Sequence, residues 1–474
     1  MLALTAVAAL VRFATLDAQS LWYDEALTYD LVNSSFGGMI DGALDHEAQP
    51  PLYFVLAWLW VHVFGDGEVG LRSLSALLGT LTVPVAYEAA RIAGGRRVAL
   101  AAGAFTALSP ALVWYSQEAR AYALMIFLCA VSLLFFLRSL DGARRRDLVG
   151  WVVGSALAFA AHYFAIFLVL PMAAWLLLRG PGPRRMLPYL AGLAAGLLAM
   201  APLLLYQQQH SGVDWIGEIP RWPRVRDVVF LFVAGPNGVA RLTDHRDEVF
   251  AVGLGGFALA LATALAWTRG VVRGRVALMA GLAAAAMLVP LLVALFGPDY
   301  ILDRNLLPAW IPLAIVVAAG LCAPRLRWAG PALAAVVCLG FAACVYAAAT
   351  NPERQRDDWR SVGERIGAST EDRLVVVAPY WHMRTLRVYQ PGLKRTGASL
   401  TVRRIVTVEL EAFVPFGDLV TAPAPPPPFR ETFYARIQNF TVREYTAPRP
   451  VAVPTAALRS PGVNRAVPFV LPGR

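Results

Sequence analysis

Long apolar blocks separated by short polar ones dominate the chain up to about residue 350. They lie near 1–17, 70–91, 98–115, 121–138, 148–161, 164–178, 187–205, 249–267, 276–296, 306–321 and 329–347. A helix crosses a bilayer with about 20 mostly apolar residues, so the pattern predicts eleven spans, of which 148–161 and 164–178 are the shortest. The block 51–64 (PLYFVLAWLWVHVF) is apolar throughout but short. At 1.5 Å per residue it covers about 21 Å of a core about 30 Å thick. Its aromatic-rich turns suit a helix lying in the membrane interface.

The loop charges orient this arrangement. With the N-terminus inside, the inner loops carry Arg91, Arg96 and Arg97, then Arg138 and Arg144–Arg146, then Arg179, Arg184 and Arg185. Arg269, Arg273 and Arg275, and finally Arg325 and Arg327, complete the series. Counting 51–64 as a full span would put these clusters outside, against the positive-inside rule. An odd number of spans then puts the tail outside. The first block lacks a basic leading region and is interrupted by Arg12, which favours a retained helix over a signal peptide.

Composition agrees. Hydrophobic residues make up 58% and charged residues 16% of the 474, against about 45–50% and about 25% in soluble domains. The four cysteines, Cys129, Cys322, Cys338 and Cys344, all lie inside apolar blocks, so no disulfide framework is expected and they read as small core residues. The net charge of +10 follows from the inner loops and does not imply nucleic acid. The arginine-rich, alanine-rich, lysine-poor chain points to a high-GC bacterium and hence to a bacterial plasma membrane.

The division is a membrane domain over 1–348 and a small extracytoplasmic α/β domain over 349–474. In the latter, an amphipathic stretch from Asp357 to about Gly367 precedes the β-branched run 374–377. A Pro-rich linker follows at 421–428, with further alternating segments at 432–434 and 440–442. The stretch 450–474 shows no period.

Residues able to do chemistry gather on the outer side of this topology. The first outer loop holds Asp24, Glu25, His46 and Glu47, the second Gln117, Glu118, Arg120 and Tyr122, and the third His162 and Tyr163. The long fourth loop, 207–248, supplies aromatic and charged residues including Trp215 and Trp222; the fifth holds Asp299, Asp303, Arg304 and Asn305. Each has an ordinary reading as well. Asp24 and Glu25 can cap a helix. His46 can be a solvated loop histidine, Arg120 with Gln117 and Glu118 a surface ion pair, His162 and Tyr163 interfacial anchors, and Arg304 a snorkelling side chain. The joint pattern, not any one residue, carries the signal.

The order LWYDEA (21–26), HEAQPPLYF (46–54), Arg72 and SPALVWYSQEARAYAL (109–124) resembles the polyprenol-dependent glycosyltransferases with the GT-C membrane fold. The most similar groups are the bacterial dolichyl-phosphate-mannose-protein mannosyltransferase-like and lipid A aminoarabinose transferase-like families. The resemblance is strong over about 10–140 and continues through Asp303-Arg304, while Asp357-Asp358-Trp359-Arg360 is similar to the start of the periplasmic domain in bacterial members. It implies a sugar carried on a polyprenyl phosphate and transferred with inversion to an extracytoplasmic glycan, lipid or protein. Asp24 would be the general base and Glu25 would orient a substrate. Arg120 and Arg304 would hold the leaving phosphate as guanidinium forks, with Tyr122 packed behind Arg120. His46, Glu47, Gln117, Glu118, His162 and Tyr163 would contact sugar or phosphate. Two features depart from relatives: Asn305 where many have Tyr, and the insertion Glu47-Ala48-Gln49 between His46 and the prolines. Asp24, Glu25, His46 and Glu47 are the donors available to a divalent metal; none is expected, nor any other cofactor.

Two other classes compete. A transporter or flippase of a lipid-linked saccharide should carry ionisable groups near the midplane and often inverted repeats, and neither is visible. A scaffolding membrane protein would leave the one-sided clustering of Asp24, His46, Gln117 and Arg120 unexplained.

Overall fold

The computed structural model describes residues 1–210, 212–236, 245–411, 421–461 and 465–473. Parts of the expected fourth outer loop, 211 and 237–244, lie outside the described residues. The first helices are α1 (Leu2–Phe13), α2 (Tyr23–Val32), α3 (Phe36–His46), α4 (Leu52–Phe64), α5 (Glu68–Gly94), α6 (Arg96–Leu108), α7 (Pro110–Ser116), α8 (Tyr122–Ser139) and α9 (Arg145–Ala161). There follow α10 (Ile166–Arg179), α11 (Pro183–Ala199), α12 (Ala201–His210), α13 (Arg221–Ala234), α14 (Arg246–Trp267), α15 (Gly270–Phe296), α16 (Trp310–Leu321) and α17 (Ala329–Thr350). The tail adds α18 (Trp359–Ile366) and α19 (Met383–Tyr389).

All eleven apolar blocks are helical. Among the described residues seven helices are long and apolar enough to cross a membrane, or eight when α6 and α7, bent by 52°, count as one. The other three blocks fall short for local reasons. α1 has 12 residues, α9 opens on Arg145, Arg146 and Asp147, and α10 begins only after a turn at His162. The interfacial candidate is α4, with 13 residues and Leu59, Val63 and Phe64 exposed.

The chain forms two compact units, Met1–Leu16 with Leu31–Arg354, and Asp17–Asp30 with Gln355–Arg474. In the first, α8 is central, with 78% of its span buried, whereas α17 is 6% buried and keeps its apolar surface for lipid. The break between α6 and α7 at Ser109-Pro110 frees carbonyls at the end of α6. The buried Arg12 of α1 meets them: its guanidinium donates to Ala107 O (2.9 Å) and Thr106 O (3.1 Å), and its Nε to Ser116 Oγ (3.2 Å). α5 approaches this junction through Gly79, where a Cβ would lie 2.0 Å from Ser116 Oγ.

The second unit is built on a six-stranded sheet in the order β2-β6-β1-β3-β5-β4. Its strands are β1 (Arg373–Ala378), β2 (Lys394–Arg395), β3 (Ser399–Leu410), β4 (Arg430–Ile437), β5 (Phe440–Pro454) and β6 (Val467–Leu471). β1 and β3 pair in parallel and the other pairs are antiparallel. The Leu-Val-Val-Val run makes β1 buried on both faces, as a central strand should be. Val375, Val377, Val406 and Val408 meet α18 and α19 on one face, and Leu374, Val376 and Ile405 pack with Leu458 on the other. The Pro-rich stretch 421–428 runs between β3 and β4 within this one sheet, and Ala422 N donates to Glu409 Oε1 (3.0 Å). The terminal stretch, which shows no period, contains β6.

The segment 17–30 is an integral part of this second unit. Gln19 Oε1 accepts from Arg356 N (2.9 Å), Ser20 Oγ donates to Asp357 O (2.8 Å) and accepts from Trp359 N (3.0 Å), and Leu21 N donates to the Tyr389 hydroxyl (2.6 Å). Arg360 donates to Asp17 O (2.8 Å) and Arg384 pairs with Asp30 at 3.5 Å.

Candidate functional site

In the first unit the polar side chains converge where Glu47 precedes α4, Arg120 precedes α8, His162 follows α9 and Arg304 precedes α16. Helix ends supply such sites because their side chains project from rigid elements while the backbone turns. Arg120 grips Glu47 through both terminal nitrogens, at 2.5 and 2.6 Å, with both side chains buried. Its guanidinium also lies 5.5 Å from the centre of the Phe54 ring. The ordinary reading of Arg120 as a surface ion pair with Glu118 therefore gives way to a buried fork with Glu47. A buried pair needs good geometry to offset desolvation, and the bidentate form provides it.

Tyr122 links the remaining members. Its ring lies 5.6 Å from His162 and 5.0 Å from Tyr115, and the Arg304 guanidinium lies 5.9 Å from its centre. Burial, with Arg120 and Arg304 close by, pushes the His162 imidazole down to about 3. His162 is thus neutral, and its Nδ1 accepts from Phe164 N (3.2 Å). Glu118 is buried, and its carbonyl accepts from Arg120 N (2.8 Å). Glu118, Asp303 and Arg304 all lie within electrostatic range of the Tyr115 hydroxyl.

Other predicted members have different settings. Gln117 donates to Arg12 O (3.1 Å), Val11 O (3.2 Å) and Thr15 Oγ1 (2.7 Å), which ties the end of α1 to α7. His46 is exposed at the end of α3, the setting of its ordinary reading. Tyr163 donates to Gln207 Oε1 (2.7 Å), and Gln207 donates to Ala43 O and Gln49 O, both at 3.0 Å. Gln207, buried and missed by sequence reasoning, fixes the loop that carries Glu47. Its signal in the sequence is a polar run, Gln207-Gln208-Gln209, closing an apolar helix. Asp299 also has a structural setting. Burial opposes its charge, but hydrogen bonds from Arg224 (2.7 and 2.8 Å) and Arg221 (3.1 Å) hold its carboxyl below the usual carboxylate range.

In the second unit, Asp24 and Glu25 open α2. Glu25 is fully buried and its carboxylate accepts from Trp22 N (3.4 Å), the return half of a capping box. Asp24 is half-buried one residue earlier. Among the described residues, no three His, Cys, Asp or Glu side chains come together as a metal-binding group.

Comparisons with known proteins agree with this architecture. Residues 48–206, which hold Arg120, Tyr122 and His162, match the family of dolichyl-phosphate-mannose-protein mannosyltransferases. An uncharacterized protein of Aquifex aeolicus is 30% identical over 165 residues, covering 34% of this chain. The match spans about a third, 32%, of that relative. ArnT from Cupriavidus metallidurans bound to undecaprenyl phosphate superposes with a TM-score of 0.60 at 16% identity, over 94% of this chain and 98% of that one. The oligosaccharyltransferase AglB from Archaeoglobus fulgidus, in complex with an inhibitory peptide and a dolichol-phosphate, gives 0.50 at 11% identity, over 82% and 63%. The chain is a multi-pass membrane protein with the GT-C fold.

Proposed function

We propose that the protein is an integral membrane glycosyltransferase that moves a sugar from a polyprenyl phosphate to an acceptor hydroxyl with inversion. The observation that carries this reading is the cluster of Arg120, Glu47, Tyr122, His162 and Arg304 at one end of the bundle. It lies on the fold that ArnT uses with bound undecaprenyl phosphate.

In the reaction, Asp24 takes the proton of the acceptor hydroxyl as its oxygen bonds to the anomeric carbon. The bond from that carbon to the phosphate oxygen breaks, and the polyprenyl phosphate leaves as an anion. Leaving-group charge is best met by fixed donors in a dry site. Arg304 is assigned to the phosphate, because Arg120 spends two nitrogens on Glu47 and so orients the site. Neutral His162 suits a sugar hydroxyl or phosphate oxygen, and carries no positive charge of its own at pH 7. Within its own unit, the segment that carries Asp24 is anchored by Ser20 on Asp357 and Trp359 and by Leu21 on Tyr389. The reaction belongs on the extracytoplasmic face of a bacterial plasma membrane, by the arginine distribution of the loops.

Binding of undecaprenyl phosphate to the purified protein tests the phosphate assignment. Arg304→Gln is expected to weaken it by about 1.5–3 kcal/mol, or roughly tenfold to a hundredfold. An unchanged dissociation constant contradicts the assignment.

A further inference from the structure

The opposite end of the first unit holds a cavity of about 600 Å³, a size typical of small-ligand sites. It lies between the end of α5, the end of α8 and the start of α9. Arg138 closes α8 on this side, whereas Arg120 stands just before its start. The α8 helix alone separates the two ends by about 27 Å. Nothing in the proposed transfer reaction uses this cavity.

Its lining is cationic and braced. Arg91, Arg138, Arg144 and Arg146 line it together with Asp141 and Asp147. Arg275 of α15 bonds Asp141, and Asp147 lies 3.7 Å from Arg146. Among the described residues, neither Arg138 nor Arg144 is paired with a carboxylate. Arg138 is instead laid against Phe135, 5.6 Å from the ring centre. That ring sits close against Gly150, where a Cβ would meet it at 2.6 Å. The rim is tied down by Arg275 on Ile92 O (2.7 Å) and Arg185 on Ala143 O (2.8 Å).

Beside the cavity, α9 presents an apolar stripe to the outside: Val149, Val153 and Leu157 are 43%, 50% and 40% exposed. The four-residue spacing puts them on one helix face, starting just after Asp147. Basic pockets between membrane helices are suited to anionic lipid headgroups. We propose that this cavity binds the phosphate of an anionic phospholipid, with Arg138 and Arg144 on the phosphate oxygens and an acyl chain along the α9 stripe. A free phosphate would meet the same guanidinium groups but has no use for the stripe, which is why the lipid is the assigned source.

Native mass spectrometry of the full chain in neutral detergent tests this. Phosphatidylglycerol, phosphatidylcholine and inorganic phosphate are titrated against wild type, Arg138→Gln/Arg144→Gln and the control Arg179→Gln/Arg184→Gln, which loses the same charge elsewhere. The proposal expects phosphatidylglycerol binding to weaken by about tenfold or more in the first variant only, with phosphatidylcholine unaffected. Equal weakening in both variants would reveal diffuse charge and overturn it. So would displacement of phosphatidylglycerol from wild type by millimolar inorganic phosphate. Should the double variant fail to fold, Val153→Ser is the second probe, expected to weaken phosphatidylglycerol at a bare stripe. Unaltered lipid binding there counts against the proposal.

Discussion

Glu47 and Arg120 are 3% and 5% exposed and joined by two short hydrogen bonds. Removing one partner of such a pair strands a buried charge. Arg120→Ala should therefore cost about 3–5 kcal/mol of stability, read by thermal unfolding in detergent. Replacing both residues by leucine should cost less than that single change. A fully stable Arg120→Ala protein would mean that the carboxylate is hydrated and the pair is not buried in solution. Sequence reading finds both residues because they fall on the same predicted side of the membrane. It does not pair them, because the partners are 73 positions apart and several acids are equally available. Arg12 is visible in the sequence only as an interruption in an apolar block. Its use, closing the carbonyls of a broken helix 94 and 95 residues away, depends on a helix crossing that no local pattern encodes.

Element by element, the apolar blocks are legible because a bilayer demands length and hydrophobicity, and all eleven are helical. Their breaks are less so: block 98–115 reads as continuous, yet Ser109-Pro110 divides α6 from α7. The junction depends on a close approach by α5. Gly79→Ala would push a Cβ to 2.7 Å from Ser116 Cβ, and should lower stability by about 1–3 kcal/mol. In the second unit, Tyr389→Phe removes the acceptor for Leu21 N. A buried donor left unmade costs about 1–3 kcal/mol. Hydrogen exchange should quicken at residues 21–25 and stay slow in β1 and β3; unchanged exchange at Leu21 would show that the segment is held by something else.

Taken whole, the chain assembles its second unit from two distant stretches of sequence, since 17–30 joins 355–474. Composition locates the tail but gives no reason to join the LWYDEA motif to it; that link rests on hydrogen bonds at Asp17, Gln19, Ser20 and Leu21 and the Arg384–Asp30 pair. The same unit has a pH dependence of definite sign. Burial pushes His382 from 6.5 down to about 3, against Trp359 and Tyr23. The unfolded chain takes up that proton first, so this contribution is complete above about 6.5 and is lost as pH falls toward 3. Asp357 and Glu409, raised mainly by burial, act in the opposite sense, their contribution fading as pH rises past the carboxylate range. His382→Phe should therefore flatten the loss of stability between pH 6.5 and 4 in a denaturant titration; an unaltered slope would place the responsible proton elsewhere.

Sugar transfer by Asp24 is tested by following labelled sugar from a panel of polyprenyl-phosphate sugars, in membranes carrying wild type or Asp24→Asn. Label should reach an acceptor with wild type alone, while the variant retains donor binding within about tenfold. Equal transfer by both proteins would remove Asp24 as the base, and no transfer by wild type from any donor in the panel would contradict the proposed activity.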